Sequence, residues 1–445
     1  MSFFRRASVA AILLIGMNAI PAMAQTKPMS LDQSIAIAIQ NSKSLKIAAD
    51  AVKKAGGQVE LAYTNYIPKL NGVLTYTRYN ESVTAKIGQQ SIVLTPDSQR
   101  EISAVATLPV DISGEIHTAV TQSKLLELSS KLSYYTQQNQ LVLDVNNAYF
   151  SVLQAHSLVQ VAQESLNNAE DTLRIAQANL QAGTGTKYDV LQAETDVANA
   201  QQQLLSAKNQ VSLANASFNN VLGLSLSTPV NLVQINTTLP VSTSYQNGME
   251  EAVKERPEVL QSDVLIRAAN EGIQLARQSS LPTMGLNWGL NYTPDATGFS
   301  PRIVTWQATV QLTIPLFDGG VTKAQLRQAR ADVNSQIVSK QQVIQNIELE
   351  YRQAYLNMQD ANARLKVANA ALTQAQEAFR LAEVRYKAGV STQLELSNAR
   401  TSLAQAESNQ VTATYGYLTA RAALEKAIGR YAYGKVGPPN IGGKG

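Results

Sequence analysis

Small and large apolar residues recur at a strict seven-residue spacing through the second half of the chain. Between 321 and 388 there is neither proline nor glycine, and the repeated positions are Ala361, Ala368, Ala375 and Ala382, with Leu365, Leu372, Phe379 and Tyr386. This heptad pattern is typical of packed coiled-coil helices and imposes a left-handed supercoil. A helix over 319–388 would be ~105 Å long at the α-helical rise. We therefore expect it to line an elongated structure.

The same pattern occurs twice. An offset of 206 residues relates Ala155 to Ala361 and holds without a gap for more than a hundred residues; it also superposes Pro109 on Pro315, Gly114 on Gly320, Gly183 on Gly389 and Gly223 on Gly429. Self-similarity of this kind indicates an internal duplication. We predict a first structural repeat at 25–243, a second at 244–430, and a flexible tail at 431–445.

Runs of alternating polarity predict one β-hairpin in each repeat, at 69–108 and 283–314. In the second hairpin apolar residues from Met284 to Tyr292 alternate with Thr, Gly and Asn, and those from Val304 to Ile314 with Thr and Gln. Each run has the length and period of a transmembrane barrel strand. The alternative is a hairpin that packs its apolar face on a soluble core. A polar loop is expected at about 80–100 in the first hairpin.

Four strands cannot enclose a water-filled barrel, and unpaired strand edges are not tolerated in lipid. Several chains must therefore share one barrel. Two copies would give an eight-stranded barrel filled by side chains, whereas three would give a 12-stranded one. We favour three.

The remaining segments predict helices. Each long helix (114–182 and 319–388) is followed by a short one (187–222 and 393–428), and a further helix precedes each hairpin, over 31–65 and 248–280. The fold class expected is therefore mainly α, with long coiled-coil helices forming a tube and a smaller β-barrel.

The N-terminus predicts export. Arg5 and Arg6 precede an apolar run and the small residues Ala22-Met23-Ala24, as in a signal peptide over 1–24. Loss of both arginines lowers the formal net charge from +4 to about +2, which is too little to indicate nucleic acid as a partner.

Composition argues against catalysis and against metal binding. The chain has no cysteine and only two histidines, His117 and His156, far apart in sequence. No Ser/His/Asp set, metal cluster or phosphate-binding glycine loop is present, so we expect no catalytic residues, no metal and no cofactor. A transport duct and a non-transporting periplasmic coiled-coil scaffold remain as the two interpretations.

Three features resemble the TolC-like outer-membrane efflux family. They are the duplication, the strand end Ile314-Pro315-Leu316-Phe317-Asp318-Gly319-Gly320, and the hairpin turn Tyr386-Lys387-Ala388-Gly389-Val390-Ser391-Thr392. The first copy keeps degenerate versions at 108–111 and 180–184, and the resemblance covers about 30–430. It implies a homotrimer in the Gram-negative outer membrane that extends into the periplasm. It also implies contact with outer-membrane lipid, a periplasmic adaptor protein, and an RND or ABC transporter of the inner membrane, for efflux or type I secretion.

The resemblance also assigns the turns between long and short helices. In the family these turns close the periplasmic end of the tube, and acidic residues beside them ring the aperture, which implies roles for Asp189, Glu395, Tyr386 and Ser391. Asp189 and Glu395 have an alternative role as helix caps, since Thr392–Glu395 fits a capping box and Thr186–Asp189 nearly does. Ser391 stands where the family's best-studied members carry an arginine, and Asn398 where they carry a second acid. We expect this closure to be held more loosely than one locked by a salt bridge.

The resemblance assigns one further set of positions, and the barrel interpretation of the hairpins suggests another. Gly183, Thr184, Gly389 and Val390 match the family's adaptor-contact motif, although helix termination alone would explain both glycines. Trp288 and Trp306 fit an aromatic belt at the membrane interface, with ordinary barrel packing as the alternative. The cargo is not indicated by the sequence.

Overall fold

The computed structural model describes residues 28–235, 244–298 and 302–431. The predicted signal peptide lies outside these residues, as does the predicted tail beyond Tyr431. The eight helices of this part of the chain are α1 (Leu31–Asn41), α2 (Lys43–Tyr63), α3 (Glu115–Gln181), α4 (Lys187–Leu222), α5 (Tyr245–Glu255), α6 (Pro257–Gln278), α7 (Val321–Lys387) and α8 (Gln393–Ile428). The strands are β1 (Lys69–Arg78), β2 (Val83–Ile87), β3 (Gln90–Thr95), β4 (Ser98–Val110), β5 (Thr283–Tyr292) and β6 (Val304–Thr313).

The predicted fold class is confirmed: the protein is mainly α, with a small β part. Helices α3 and α7 have 67 residues each, so each is ~100 Å long. None of the helices in the described residues combines the length and the hydropathy that crossing a membrane requires.

Aspartates before α3 and α7 fix the starts of these long helices. Asp111 accepts hydrogen bonds from the backbone N–H groups of Ile116 and His117. Asp318 accepts them from Gly320 and Thr322. Hydrogen bonds from Thr322 and from the Gly320 backbone lower the pKa of Asp318 to about 2. Both helices therefore leave the sheet through a turn that is held by a charged cap.

The long helices pack against different partners along their length. Near the sheet, α3 packs against α6 through Leu132 and Val264, and at its far end against α4 through Ala169 and Ala200. The largest core lies about midway, where Tyr149 and Phe218 of the first repeat join a cluster that includes Tyr351 of the second. Small residues recur at the α3–α4 seam, as the heptad pattern predicted, so the two backbones approach closely.

Strands β1, β4, β5 and β6 form one antiparallel sheet in the order β1-β4-β5-β6. The register places Leu70, Ala106, Trp288 and Ala308 in one row across the four strands. The neighbouring row is Asn71, Val105, Gly289 and Gln307, on the opposite face. One face is therefore mainly apolar and the other mainly polar, and β1 and β6 are open edges of the sheet in the described residues.

The sheet does not pack its apolar face on the core of its own chain. Leu74 is 72 % exposed, Trp306 70 % and Val310 68 %. These values contradict, for the isolated chain, the alternative in which the hairpins cover a soluble core.

Three sequence expectations were wrong in detail. The helix predicted over 31–65 is broken at Ser42, whose hydroxyl accepts the N–H of Leu45 and starts α2, and it ends in a short 3-10 turn. The helix predicted over 248–280 is interrupted at Arg256, because Pro257 at the first position of α6 disfavours a helical residue before it. The polar loop at about 80–100 contains the two-stranded ribbon β2–β3.

Candidate functional site

The two turns that join long and short helices lie ~100 Å from the sheet, because α3 and α7 run that distance without a break. Each turn begins with a glycine in the left-handed region, Gly183 at φ 73° and Gly389 at φ 72°. The N–H of Thr184 reaches the carbonyl of Asn179, and the N–H of Val390 reaches that of Arg385. These are the hydrogen bonds of a Schellman motif, so helix termination accounts for both glycines. Val390 is left 66 % exposed at the end of its hairpin.

Asp189 is a helix cap. Its carboxylate accepts hydrogen bonds from the backbone N–H and the hydroxyl of Thr186, while its own N–H donates to that hydroxyl. This is the full reciprocal capping box at the start of α4. The sequence suggested only a partial one here.

Glu395 has a different environment, and the expectation of a capping box at Thr392–Glu395 was wrong. Its backbone N–H donates to the Thr392 hydroxyl, but its carboxylate lies 3.0 Å from Nη1 of Arg385. Glu395 therefore ties the start of α8 to the end of α7. The pair is exposed, with 55 % and 43 % of the two side chains accessible, so its contribution to stability is small.

Tyr386 is a buried tyrosine at this end of the molecule. It is 9 % exposed and packs in a cluster with Ala382 and Leu396. Burial raises the pKa of its hydroxyl, and the negative charge of Asp189 adds to the effect, while a hydrogen bond from the Asn179 side chain acts in the opposite direction. Asn179 and Asp189 belong to the first repeat and Tyr386 to the second. This tyrosine therefore lies where the helical hairpin α3–α4 meets the helical hairpin α7–α8.

Ser391 and its neighbour Gln393 are not satisfied within the described part of the chain. The hydroxyl of Ser391 and both amide atoms of Gln393 are buried without a hydrogen-bond partner there. Ser391 therefore forms no lock of its own in a single copy.

A second connection between the hairpins was missed by sequence reasoning. Arg400 of α8 is ion-paired through Nη2 with Asp196 of α4, and the Asp196 carboxylate also accepts a hydrogen bond of 2.9 Å from the Ser397 hydroxyl. Only 8 % of the arginine side chain and 12 % of the aspartate side chain are exposed. No periodicity marks this pair, because each residue alone looks like an ordinary charge on an amphipathic helix.

The two tryptophans lie on the exposed apolar face of the sheet. Trp306 is the third residue of β6, near its outer end, and Trp288 lies in the middle of β5, between Ala106 and Ala308. Trp306 is therefore placed better for a membrane interface than Trp288 is.

No cluster of three or more His, Asp or Glu side chains suited to a metal ion occurs within 28–235, 244–298 and 302–431. The polar face of the sheet instead carries a shallow cavity of about 280 Å³ lined by residues such as Ser103, Asn291, Thr305 and Gln307. The hydrogen-bonding side chains of this cavity are neutral, except for the carboxylate of Glu101.

A family model described as "Outer membrane efflux protein" matches residues 35–224 and 248–430. The chain is 23 % identical over 416 residues to the probable efflux pump outer membrane protein TtgC of Pseudomonas putida, covering 92 % of this chain and 85 % of that protein. It is 25 % identical over 402 residues to the cation efflux system protein CusC of Escherichia coli, with 89 % and 85 % covered.

Solved structures share the fold. A crystal structure of CusC has a TM-score of 0.75 at 21 % identity, covering 89 % of this chain and 91 % of that one. The Campylobacter jejuni CmeC outer membrane channel also has a TM-score of 0.75, at 18 % identity, with 90 % and 85 % covered.

Proposed function

The chain belongs to the outer membrane efflux protein family, and on this premise we propose that three copies form a passive exit duct of an efflux pump or a type I secretion system. The sheets of the three copies would close into a 12-stranded barrel in the outer membrane. The long helices would form a tube through the periplasm. A passive duct moves its cargo without chemistry, so we assign no catalytic activity to it.

One observation carries this proposal: a sheet with two open edges and an exposed apolar face continues directly into helices that are ~100 Å long. In lipid, an open edge leaves backbone groups without hydrogen bonds, so the edges require strands from other copies. The apolar face then meets lipid. The polar face, with its Thr, Asn and Gln side chains and its glycines, lines a water-filled lumen.

The turns at Gly183 and Gly389 form the periplasmic end of the proposed duct. Glu395 would place three carboxylates around the axis of a trimer, and Asp189 would place three more beside Tyr386. Since Glu395 is paired with Arg385 in each copy, the Glu395 ring carries partly compensated charge. The exposed Thr184 and Val390 are the positions proposed for the adaptor, which would in turn contact an RND or ABC transporter of the inner membrane.

The periplasmic scaffold is the competing function. It predicts no stable insertion of the purified chain into lipid. The duct predicts oligomers in the outer-membrane fraction that resist SDS and change mobility on heating.

Single-channel recording in a planar bilayer tests the proposal. The mature wild-type protein should give small openings that prefer cations, and Glu395→Gln should reduce this preference. Arg385→Gln is the matched control, because it frees the Glu395 carboxylate and should increase the preference. Absence of conductance from a folded trimer would contradict the duct, whereas conductance that neither substitution affects would leave the duct but remove Glu395 from the aperture.

A further inference from the structure

The end of β6 and the start of β1 are brought together by closure of the barrel. In the proposed trimer, β6 of one copy pairs with β1 of the next. The order β1-β4-β5-β6 is antiparallel throughout, so β6 runs toward the helices while β1 runs away from them. The residues that follow β6 in one copy therefore lie beside the residues that precede β1 in the next.

The segment after β6 exposes large apolar side chains over a cavity. Leu316 is 95 % exposed and Phe317 is 90 % exposed, the highest values among the large apolar residues of the described chain. An open cavity of about 610 Å³ lies around them and extends along the first turns of α7. Isolated exposed apolar residues need no explanation, but adjacent ones beside a cavity mark an interaction surface.

The segment before β1 has matching apolar groups. Ile67 is 58 % exposed, Tyr63 42 % and Tyr66 41 %. The two tyrosine rings lie 6.4 Å apart, and the Tyr66 hydroxyl donates a hydrogen bond to Asp111, the aspartate that caps α3. This segment therefore exposes apolar side chains, and the hydrogen bond of Tyr66 to Asp111 fixes its position within its own copy.

The two surfaces carry charges that can pair, although the cavity also contains the carboxylate of Asp318, which is engaged in the cap of α7, and the exposed Lys69 follows Ile67. Lys323, Arg327 and Arg330 line the cavity on α7. On α2, Glu60 is exposed one turn before Tyr63. In the part of the chain that the structure describes, none of these four side chains forms an ion pair within its own copy, although other charges nearby do, such as Lys340 with Asp263 and Lys53 with Asp50. The cations and the carboxylate lie at similar depths below the sheet, within about three helical turns of it.

We propose that a second copy of this chain occupies the cavity: its Tyr66 and Ile67 pack on Leu316 and Phe317, and its Glu60 pairs with Arg327 and Arg330. We call this contact the collar joint. It is a head-to-tail contact, and repeated around an axis such contacts close a ring. The joint rests on the proposed trimer. It adds a specific contact between the segment before β1 of one copy and the start of α7 in the next.

Cysteine cross-linking tests the joint, because the natural chain has no cysteine. The test variant carries Ile67→Cys and Leu316→Cys. Within one copy these positions are separated by three strand spacings, ~14 Å, whereas a disulfide needs Cα atoms within ~7 Å. Mild oxidation should therefore link most of the chains into covalent dimers and trimers on non-reducing gels. The matched control carries Ile67→Cys with Val338→Cys, which is exposed on α7 and lies ~25 Å beyond the first residue of that helix. This control should remain unlinked.

Charge exchange tests the electrostatic part. Glu60→Arg should lower the temperature at which the SDS-resistant trimer dissociates, because it places a positive charge beside Lys323, Arg327 and Arg330 of the neighbouring copy. Adding Arg327→Glu and Arg330→Glu to that variant should restore much of the loss. Glu81→Arg makes the same charge change at the other end of β1 and should have no effect on dissociation.

The outcomes separate the joint from the duct. The joint is overturned, and the duct retained, by three results together. The wild-type trimer conducts, the Ile67→Cys/Leu316→Cys variant does not cross-link, and Glu60→Arg has the same effect on trimer dissociation as Glu81→Arg. A wild-type chain that is monomeric in both detergent and lipid would overturn the proposed function itself.

Discussion

At the residue scale, the buried ion pair of Arg400 with Asp196 connects the two helical hairpins, α3–α4 and α7–α8. It joins α4 of the first repeat to α8 of the second, and the Ser397 hydroxyl gives the aspartate another partner. Nη1 of Arg400 is buried without a partner in the described residues, so part of the desolvation cost is not recovered. In the proposed duct this pair would hold the two helical hairpins of each copy together at the periplasmic end. It also occurs in a chain whose Ser391 provides no lock.

Asp196→Asn should therefore loosen the periplasmic end of the duct. Removing one partner from a buried pair costs about 3 kcal/mol, which shifts an equilibrium between joined and separated hairpins by roughly a hundredfold. We expect larger and more frequent openings in planar bilayers. Glu377→Gln is the matched control, since it removes a carboxylate that pairs with Arg380 inside α7 and does not join the hairpins. Equal conductance of the two variants would show that the pair only stabilises the fold.

A second group of charges, around the buried Arg256, makes stability depend on pH through the carboxylate of Glu350. Arg256 is 4 % exposed and pairs with Glu258 and Glu350, while Lys426 also pairs with Glu350. Burial disfavours the charged form of Glu350, but the hydrogen bonds and charges of Lys426 and Arg256 outweigh it and lower its pKa. A lowered pKa means that this contribution to stability is present above the ordinary value of 4.5 and is lost as the pH falls through the folded value.

Glu350→Gln should thus destabilise the protein at pH 7 by about 1–2 kcal/mol, after allowance for the partial exposure of the carboxylate. The difference in thermal midpoint between wild type and variant should shrink at pH 4 and below. Glu348→Gln, two residues earlier on the same helix and exposed, is the control. If the difference in thermal midpoint between wild type and Glu350→Gln stayed constant with pH, the stabilising role assigned to the ionised Glu350 carboxylate would be wrong.

At the element scale, the ribbon β2–β3 is separate from the four-stranded sheet β1-β4-β5-β6. Its strands pair only with each other in the described residues, and the residues described between β5 and β6 (293–298, 302 and 303) form no such ribbon. Near the base of the ribbon, a bidentate ion pair between Arg100 and Asp295 connects the β-hairpin of the first repeat to that of the second. That link does not depend on the ribbon.

Replacing residues 83–95 by a short Gly-Ser turn should therefore preserve assembly. We expect SDS-resistant trimers at the wild-type level and a melting temperature within a few degrees, because the deleted strands contribute no hydrogen bonds to the four-stranded sheet. Arg100→Ala, which leaves the ribbon in place but removes the link to Asp295, serves as the comparison. Loss of trimer on deletion alone would show that the ribbon is part of the barrel.

The regular elements could be predicted from the sequence, whereas their contacts could not. The heptad of Ala155 to Ala176 and the period of two from Met284 to Tyr292 are visible in the sequence itself, so the long helices and the strands of the four-stranded sheet were predicted within a few residues. The break at Ser42 depends on a single hydroxyl that caps α2, and the ribbon β2–β3 on a local pairing of short apolar runs. Asp196 and Arg400 are separated by 204 residues, and only the folded arrangement of the hairpins shows that they meet.

At the scale of the whole molecule, the proposed duct assigns each face of the sheet to a different solvent. Leu286 lies on the apolar face beside Leu108 and Val310, and the next residue, Asn287, lies on the polar face beside Thr107 and Thr309. Adjacent residues in the middle of one strand are therefore expected to meet lipid and water. The scaffold interpretation makes no such distinction, because neither face would contact a membrane.

The same substitution at these neighbouring positions separates the two interpretations. Leu286→Arg puts a charge into the hydrocarbon core and should cost about 2–4 kcal/mol, seen as a loss of folded trimer in lipid vesicles. Asn287→Arg puts the same side chain into the lumen, where it stays hydrated, so folding should be nearly unchanged while cation conductance falls. If Leu286→Arg also folds normally in vesicles, the apolar face does not meet lipid and the scaffold is favoured. If Asn287→Arg folds but leaves the conductance unchanged, the polar face does not line the path of the ions, and the arrangement of the barrel proposed for this chain is wrong even if a trimer forms.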